Sequence, residues 1–176
     1  MRKTILSLAL FAALAAPAAA DDTASMQAAA GGFYGVYKTL HVSGIPGDDD
    51  RARFAPFLSP ALEALLKQAA AAEARFAKAN KDSPPLIEGD VFSSLFEGAT
   101  AVTVGPCSGD ARKGQCTAAL ARADSSNAAA QWNDTVYLVN SPAGWRIDDI
   151  GYGASWAFGN KGRLSETLRQ AIQFQP

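Results

Sequence analysis

The fold is decided by one stretch of the chain, Gln131-Trp132-Asn133-Asp134-Thr135-Val136-Tyr137-Leu138-Val139-Asn140, which predicts a long β-strand. The turn signal Asn140 to Gly144 follows and leads into a second strand, Trp145 to Tyr152. The first strand is apolar on both faces, whereas a strand with one wet side alternates. We therefore expect helices on both sides of the sheet, a sheet curled into a cone, or a second subunit packed on it.

The second strand changes the parity of its apolar residues halfway along. Trp145 and Ile147 share one face, while Ile150 and Tyr152 share the other. One extra residue at Asp148-Asp149 would restore a single inward face, so a β-bulge is predicted there.

Two further strands are predicted upstream, at Thr100 to Gly105 and Gln115 to Arg122. The only two cysteines, Cys107 and Cys116, flank the glycine-containing turn that joins these strands. Paired strands would bring the sulfurs together, and a disulfide closing so short a loop is worth on the order of 2–3 kcal/mol. A metal or redox pair is the alternative, but the C-x-x-C spacing that would favour it is absent.

Helices are expected before and after these strands in the sequence. The first runs from Thr23 or Ala24 to Leu40, and its three glycines predict close packing against the sheet. The second begins at Ser59-Pro60 and ends near Asn80, and a short last helix carries Leu164, Leu168, Ile172. Val42 to Pro56 is rich in Gly, Pro and Asp and is interpreted as a loop. The predicted class is α+β: N-terminal helices packed on a curved, cone-like four-stranded antiparallel sheet, with a short C-terminal helix.

The first twenty residues have the layout of a secretory signal peptide. Arg2 and Lys3 precede an apolar run of about a dozen residues, and Ala18-Ala19-Ala20 forms a small-residue cleavage site. A membrane-spanning helix needs roughly 20 apolar residues, so the run is too short to span. We expect cleavage after Ala20, a single domain over residues 21–176, and a periplasmic or secreted location with no membrane span.

Composition narrows the classes of partner. Without Arg2 and Lys3, 14 basic residues face 17 acidic ones, a net charge of −3. No basic stripe is available to displace counterions from phosphates, so nucleic-acid binding is not expected. No G-x-S-x-G, H-E-x-x-H or Walker-type motif occurs, and no cofactor is expected.

Several short motifs together resemble a known family. They are Phe33-Tyr34-Gly35-Val36-Tyr37, Ser59-Pro60-Ala61-Leu62, Gly89-Asp90-Val91-Phe92 and the last strand from Gly144 to Tyr152. In this order they are similar to exported bacterial domains of unknown function within the nuclear transport factor 2-like superfamily. The resemblance covers Ala24 to Ile172 and implies a cone-shaped fold, a signal peptide or lipid anchor, and no established activity. It supplies no catalytic residues.

The best candidate site is the inward face of the strongest strand. Asp134 shares the parity of Trp132, Val136 and Leu138, and burial would raise the pKa of its carboxyl. It would then serve as a general base or ligand anchor, together with Tyr34 or Tyr37. The ligand-binding candidates are Tyr34, Tyr37, Trp132, Asp134, Trp145 and Asp148 or Asp149. The alternative places Asp134 in water near the strand end, or in an ion pair with Arg122 or Arg146.

Other polar residues have both a functional and a structural interpretation. Glu88, Asp90 and Glu97 would form an acidic lip on a pocket, or would cap a single helical turn with Phe92 and Phe96 in the core. Asp48-Asp49-Asp50 offers oxygens to Ca²⁺, but it lacks the alternating calcium loop and is favoured as a solvated loop; no metal site is expected. His41, the only histidine, is interpreted as a loop residue.

The remaining aromatic residues are expected in the core. Trp156 and Phe158 are included among these core residues, and the alternative is that Trp156-Ala157-Phe158 plugs the open end of the cone or meets a partner.

Three functions remain open. The first is a non-enzymatic binding module for a protein or small-molecule ligand, of which an inhibitor-like or immunity-like protein is one version. The second is a small pocket enzyme, an isomerase, dehydratase or hydrolase that uses a carboxylate and a tyrosine. The third is a structural homodimer built on the two-sided apolar strand.

Overall fold

The structure, a computed structural model, describes residues 18–40, 42–124 and 127–174. Three helices come before the sheet and one follows it, which confirms the predicted α+β class. The helices are α1 (Ala18–Tyr37), α2 (Asp48–Phe54), α3 (Pro60–Ala79) and α4 (Leu164–Gln173), with a 3₁₀ turn at Ala55–Phe57. The strands are β1 (Ala101–Gly109), β2 (Lys113–Asp124), β3 (Asn127–Ser141) and β4 (Gly144–Gly151).

The four strands form one antiparallel sheet in the order β1-β2-β3-β4. In β3, Trp132, Asp134, Val136 and Leu138 all point into the core, as their shared parity predicts. On the outer face, the Arg163 guanidinium carbon lies 4.0 Å from the centre of the Tyr137 ring. A side chain of the same molecule therefore covers part of the second apolar face of β3.

The bulge predicted in β4 is present. Tyr137 pairs with Asp149 and Leu138 pairs with Ile147, so Asp148 is the extra residue. Ile147 and Ile150 are consequently both fully buried, although their spacing is odd. The bulge restores the single inward face of the strand.

Helix α3 begins and ends where its sequence signals place it. Ser59 Oγ accepts a hydrogen bond from Leu62 N at 3.1 Å, Pro60 occupies the first turn, and Asn80 is the C-cap. The backbone amide of Ser59 also donates to Ile147 O at 2.7 Å, which attaches the start of the helix to β4. The cap therefore sets both the first turn and the position of α3.

Two helix predictions need correction. The segment Val42 to Pro56 is not all loop, because Asp48–Phe54 forms α2 with its three aspartates in the first turn. Acidic side chains there complement the positive end of the helix dipole. Helix α1 begins at Ala18 rather than at Thr23, because the alanines before Asp21 are strong helix formers, and it ends at Tyr37.

The expectation for the glycines of α1 is also wrong. A β-carbon at Gly32 would collide with the ring of Phe57, which belongs to the 3₁₀ turn and not to the sheet. Gly31 and Gly35 have open space where a β-carbon would stand. Close packing therefore explains one of the three glycines.

The core lies between the inner face of the sheet and the helices. Helix α1 packs across β1, β2 and β4, while α3 packs on α4. Phe33, Phe54 and Phe92 meet at its centre with ring centroids 4.9–5.2 Å apart. Because Phe92 belongs to the segment that connects α3 to β1, this cluster fixes that segment against α1.

The predicted disulfide joins β1 to β2. Cys107 and Cys116 are directly opposite each other in the register, with their Cα atoms 4.0 Å apart, and they are bonded. Within the ranges described, no helix is long and apolar enough to cross a membrane. Residues 1–17 of the predicted signal peptide, and His41, lie outside the described residues.

Candidate functional site

Asp134 is fully buried and surrounded by hydrogen-bond donors. Its Oδ2 accepts from Ser94 N at 2.9 Å and from Trp132 Nε1 at 3.2 Å. Its Oδ1 accepts from Gly153 N at 2.9 Å and from Ser94 Oγ. The interpretation that places Asp134 in water or in an ion pair with Arg122 or Arg146 is therefore wrong. Four uncharged donors satisfy the carboxylate. Through Ser94 and Gly153 it connects β3 to the segment before β1 and to the residues that follow β4.

Tyr34 is buried near this carboxylate without a hydrogen bond of its own. Its hydroxyl is one of the few buried polar atoms in the described part of the chain that lack a partner. Burial raises the pKa of Tyr34 well above its ordinary value, and the charges of Asp134 and Asp90 raise it further. The phenol therefore stays protonated at physiological pH.

Tyr37 meets a carboxylate that lies 53 residues away in the sequence. Its hydroxyl donates to Asp90 Oδ2 at 2.5 Å and accepts from Ala99 N at 2.7 Å. Asp90 Oδ1 accepts from Phe92 N at 2.7 Å, so Asp90 also closes a turn. The turn capped by Asp90 is not helical, which corrects the expected helical turn. The end of α1 and the segment before β1 thus meet at one carboxylate–phenol pair.

This pair lies on the floor of a cleft of about 440 Å³. The walls come from the residues that follow α1, from the segment before β1, and from β2. Besides Tyr37 and Asp90, the lining includes Lys38, Leu40, Ser43, Phe96, Glu97, Gly98, Ala99, Thr100 and Arg122. The volume lies in the range of small-molecule sites.

The electrostatics of the floor set Asp90 apart. Burial raises the pKa of Asp90 from 3.8 to about 6, opposed by the hydrogen bonds from Tyr37 and Phe92 and by the charge of Arg122. Burial also raises the pKa of Tyr37, and the neighbouring Asp90 raises it further. The cleft therefore presents a carboxyl that changes its charge close to neutral pH beside a phenol that does not.

Gly98 and Arg122 shape the cleft above this pair. Gly98 has φ +74°, and a β-carbon there would collide with Asp90 Oδ2 and lie 3.0 Å from the Tyr37 hydroxyl. Arg122 Nη1 donates to Glu97 O at 2.6 Å and to Gly98 O at 3.3 Å. Glycine at 98 therefore lets the backbone lie directly against the pair, and Arg122 binds two carbonyls of the same wall.

Of the ligand-binding candidates named from sequence, only Tyr37 lines this cleft. Trp145 Nε1 donates to Asp22 Oδ1 at 3.3 Å, and Asp148 Oδ1 accepts from Ser59 Oγ at 2.6 Å. Asp149 accepts from Ser165 N at 3.0 Å and from Ser165 Oγ at 2.8 Å, at the start of α4. These side chains join elements of the fold.

The acidic-lip residues separate in the structure. Asp90 and Glu97 line the cleft, whereas Glu88 is exposed and does not. Phe92 is fully buried, but Phe96 is 43% exposed and stands at the rim, so the expectation that both belong to the core holds for Phe92 alone. Asp48 pairs with Arg51 in α2. Across the described ranges, no group of three or more His, Cys, Asp or Glu side chains is placed to hold a metal ion.

The loop between β4 and α4 carries Trp156 and the exposed aromatic residue Phe158. Trp156 packs edge-on against Trp132 with centroids 5.2 Å apart, while Phe158 is 93% exposed and is not a core residue. Asn160 attaches this loop to the cleft segment, since its Nδ2 donates to Asp90 O at 2.6 Å and to Ser93 O at 2.7 Å.

Comparison of the chain with protein-family models, with curated proteins and with solved structures finds no match.

Proposed function

We propose that this protein is an exported, non-enzymatic binding module whose ligand occupies the cleft above Tyr37 and Asp90. The observation that carries the proposal is the position of this pair. A carboxyl that is 96% buried accepts two hydrogen bonds from the described residues and lines a cleft. A concave site with a few convergent polar groups and a perturbed pKa is the usual form of a ligand site.

The proposal includes the compartment and the family. Support for export comes from the signal-like first twenty residues and from the Cys107–Cys116 disulfide, since disulfides persist in oxidising compartments. Support for membership of the nuclear transport factor 2-like superfamily, with its cone shape, comes from the quoted motifs and from the order of helices followed by a four-stranded antiparallel sheet.

A ligand screen with a blocked cleft tests the binding function. We expect that some members of a library of polar small molecules raise the melting temperature of the wild-type protein. Ser43→Trp should abolish that rise, because Ser43 is exposed and lines the cleft. Ser83→Trp, an equally exposed serine outside the cleft, is the matched control. If no compound stabilises the protein, or if stabilisation survives Ser43→Trp, the cleft is not a binding site.

One observation favours the pocket enzyme as a second candidate, with Asp90 and Tyr37 in place of Asp134. A carboxyl with a pKa of about 6 is suited to exchange a proton near neutral pH. In this case a turned-over substrate would react faster as the pH rises through about 6, and Asp90→Asn would remove the reaction. Turnover that persists in Asp90→Asn would contradict the assignment.

A further inference from the structure

Charged side chains of both signs line the cleft. Asp90 and Glu97 bring negative charge, while Lys38 and Arg122 bring positive charge. The charge of Arg122 lowers the pKa of Asp90, which places the guanidinium within electrostatic range of the carboxyl. A ligand that carries only one sign of charge would leave one of the two sets without a partner.

The Asp90 carboxylate has acceptor positions that the described residues leave unfilled. A carboxylate accepts about four hydrogen bonds, and Asp90 accepts two, from Tyr37 Oη and Phe92 N. Tyr37 already donates its proton to Asp90, so the pair offers acceptor positions and no free hydroxyl donor. A group with several N–H donors and a positive charge matches this carboxylate.

Arg122 has hydrogen-bond donors that are not used by the described residues. Arg122 uses Nη1 on two backbone carbonyls, and among the described residues neither its Nε nor its Nη2 has a hydrogen-bond partner. A planar guanidinium matches a carboxylate. Phe96 stands half-exposed at the rim, available to an apolar substituent.

We propose that the cleft binds a small zwitterion, a free α-amino acid or the amino end of a short peptide, with its ammonium group on Asp90 and its carboxylate on Arg122 and Lys38. This inference rests on the proposed binding function and names the class of ligand. A free amino acid and a peptide share the ammonium group and differ in how far away the carboxylate lies.

Isothermal titration calorimetry on the full chain at pH 7.5 tests the inference. The probes are the protein amino acids, their glycyl-extended dipeptides, and two truncated analogues of the best binder that lack either the carboxylate or the ammonium group. We expect the zwitterion to bind at least about tenfold more tightly than either analogue. A tighter free amino acid identifies one source and a tighter dipeptide the other. An analogue that binds as tightly as the zwitterion overturns the inference.

Variants locate the contacts. Asp90→Asn should weaken binding of the zwitterion at least about tenfold, while Asp82→Asn, the same change at an exposed position outside the cleft, should leave it unchanged. Lys38→Met alters an exposed residue and should not affect folding. It should weaken binding of the zwitterion and leave the amine analogue unaffected; equal effects on both would contradict the assigned orientation.

Failure of the inference and failure of the proposed function have different signatures. If no zwitterion binds while another ligand class stabilises the protein in a manner sensitive to Ser43→Trp, the inference fails and the binding function stands. If no compound of any class is sensitive to Ser43→Trp, both fail.

Discussion

Asp134 and Asp90 are both buried and differ in their partners. Asp134 accepts four hydrogen bonds, from Ser94, Trp132 and Gly153, and is fully buried. Asp90 accepts two and lines the cleft. Because unused acceptor positions are what a ligand can occupy, the partner set distinguishes the structural carboxylate from the available one.

The buried charge of Asp90 should make the protein less stable as the pH rises. The pKa of Asp90 is about 6 in the folded chain against 3.8 as the ordinary value. Between these values the folded state holds more protons than the unfolded state, so the free energy of unfolding falls as the pH rises from about 4 to about 6. Because the pKa rises from 3.8 to about 6, the free energy of unfolding above pH 6 is lower by roughly 3 kcal/mol on account of this residue.

Asp90→Asn should remove this part of the pH dependence. At pH 7.5 the variant should be more stable by about 1–2 kcal/mol, because the buried charge is gone while the Tyr37 hydroxyl loses its acceptor. Urea unfolding of both proteins from pH 4 to pH 8 measures the difference. A variant with the same slope between pH 4 and pH 6 as the wild type would contradict the assigned burial.

Asp134→Asn should act in the opposite direction. Its amide NH₂ would face two donors in either orientation, and we expect a loss of about 3 kcal/mol in the free energy of unfolding. Asp148→Asn is the matched control on the same sheet. Asp148 Oδ1 accepts a hydrogen bond from Ser59 Oγ, and asparagine keeps an acceptor oxygen at this position. The control should lose less than about 1 kcal/mol. Equal losses in both variants would mean that the donors around Asp134 do not depend on its charge.

Among the helices and strands, the features that depend on interactions within a few residues were predicted correctly from the sequence. The cap and proline of α3 and the parity change at Asp148 are interactions within a few residues, and both features are found. Helix α2 was missed because its seven residues contain a single fully buried apolar side chain, Phe54, which is too little for an apolar periodicity. Its acidic first turn resembles a solvated loop in sequence.

The site was predicted only in part, for a related reason. Tyr37 was singled out, and Asp90 was named as a lip or cap residue. Their hydrogen bond joins positions 53 residues apart, and it follows from the packing of Phe92 against Phe33 and Phe54 in the core. No spacing rule in the sequence encodes that contact. The preference for Asp134 came from strand parity, which predicts the side that a residue faces and not the donors it meets there.

The disulfide between β1 and β2 should contribute to stability beyond the hydrogen bonds of the sheet. Replacing both Cys107 and Cys116 with alanine should lower the free energy of unfolding by on the order of 2–3 kcal/mol, because the unfolded chain is no longer cross-linked. Dithiothreitol should destabilise the wild type by a similar amount and leave the variant unchanged. Two free thiols in the natively purified protein would contradict the bond.

In the molecule as a whole, a packed interior lies beside the cleft that Tyr37 and Asp90 line. We expect this molecule to be exported and cleaved after Ala20. Intact mass spectrometry of the protein recovered from the cell envelope should give the mass of residues 21–176 less two hydrogens for the cystine. A mass that retains the first twenty residues would contradict cleavage after Ala20. A homodimer stays a prediction that sedimentation at micromolar concentration can decide.

Amide NMR can show whether ligands enter the cleft that Tyr37 and Asp90 line. Ala99 N donates to the Tyr37 hydroxyl at 2.7 Å, so its amide signal reports on the floor of the cleft. On titration with a stabilising ligand, the largest shift changes should fall on Gly98, Ala99 and Thr100, with little change at Thr103 and Ala119 on the outer face of the sheet. Shift changes confined to that outer face would contradict ligand binding in the cleft.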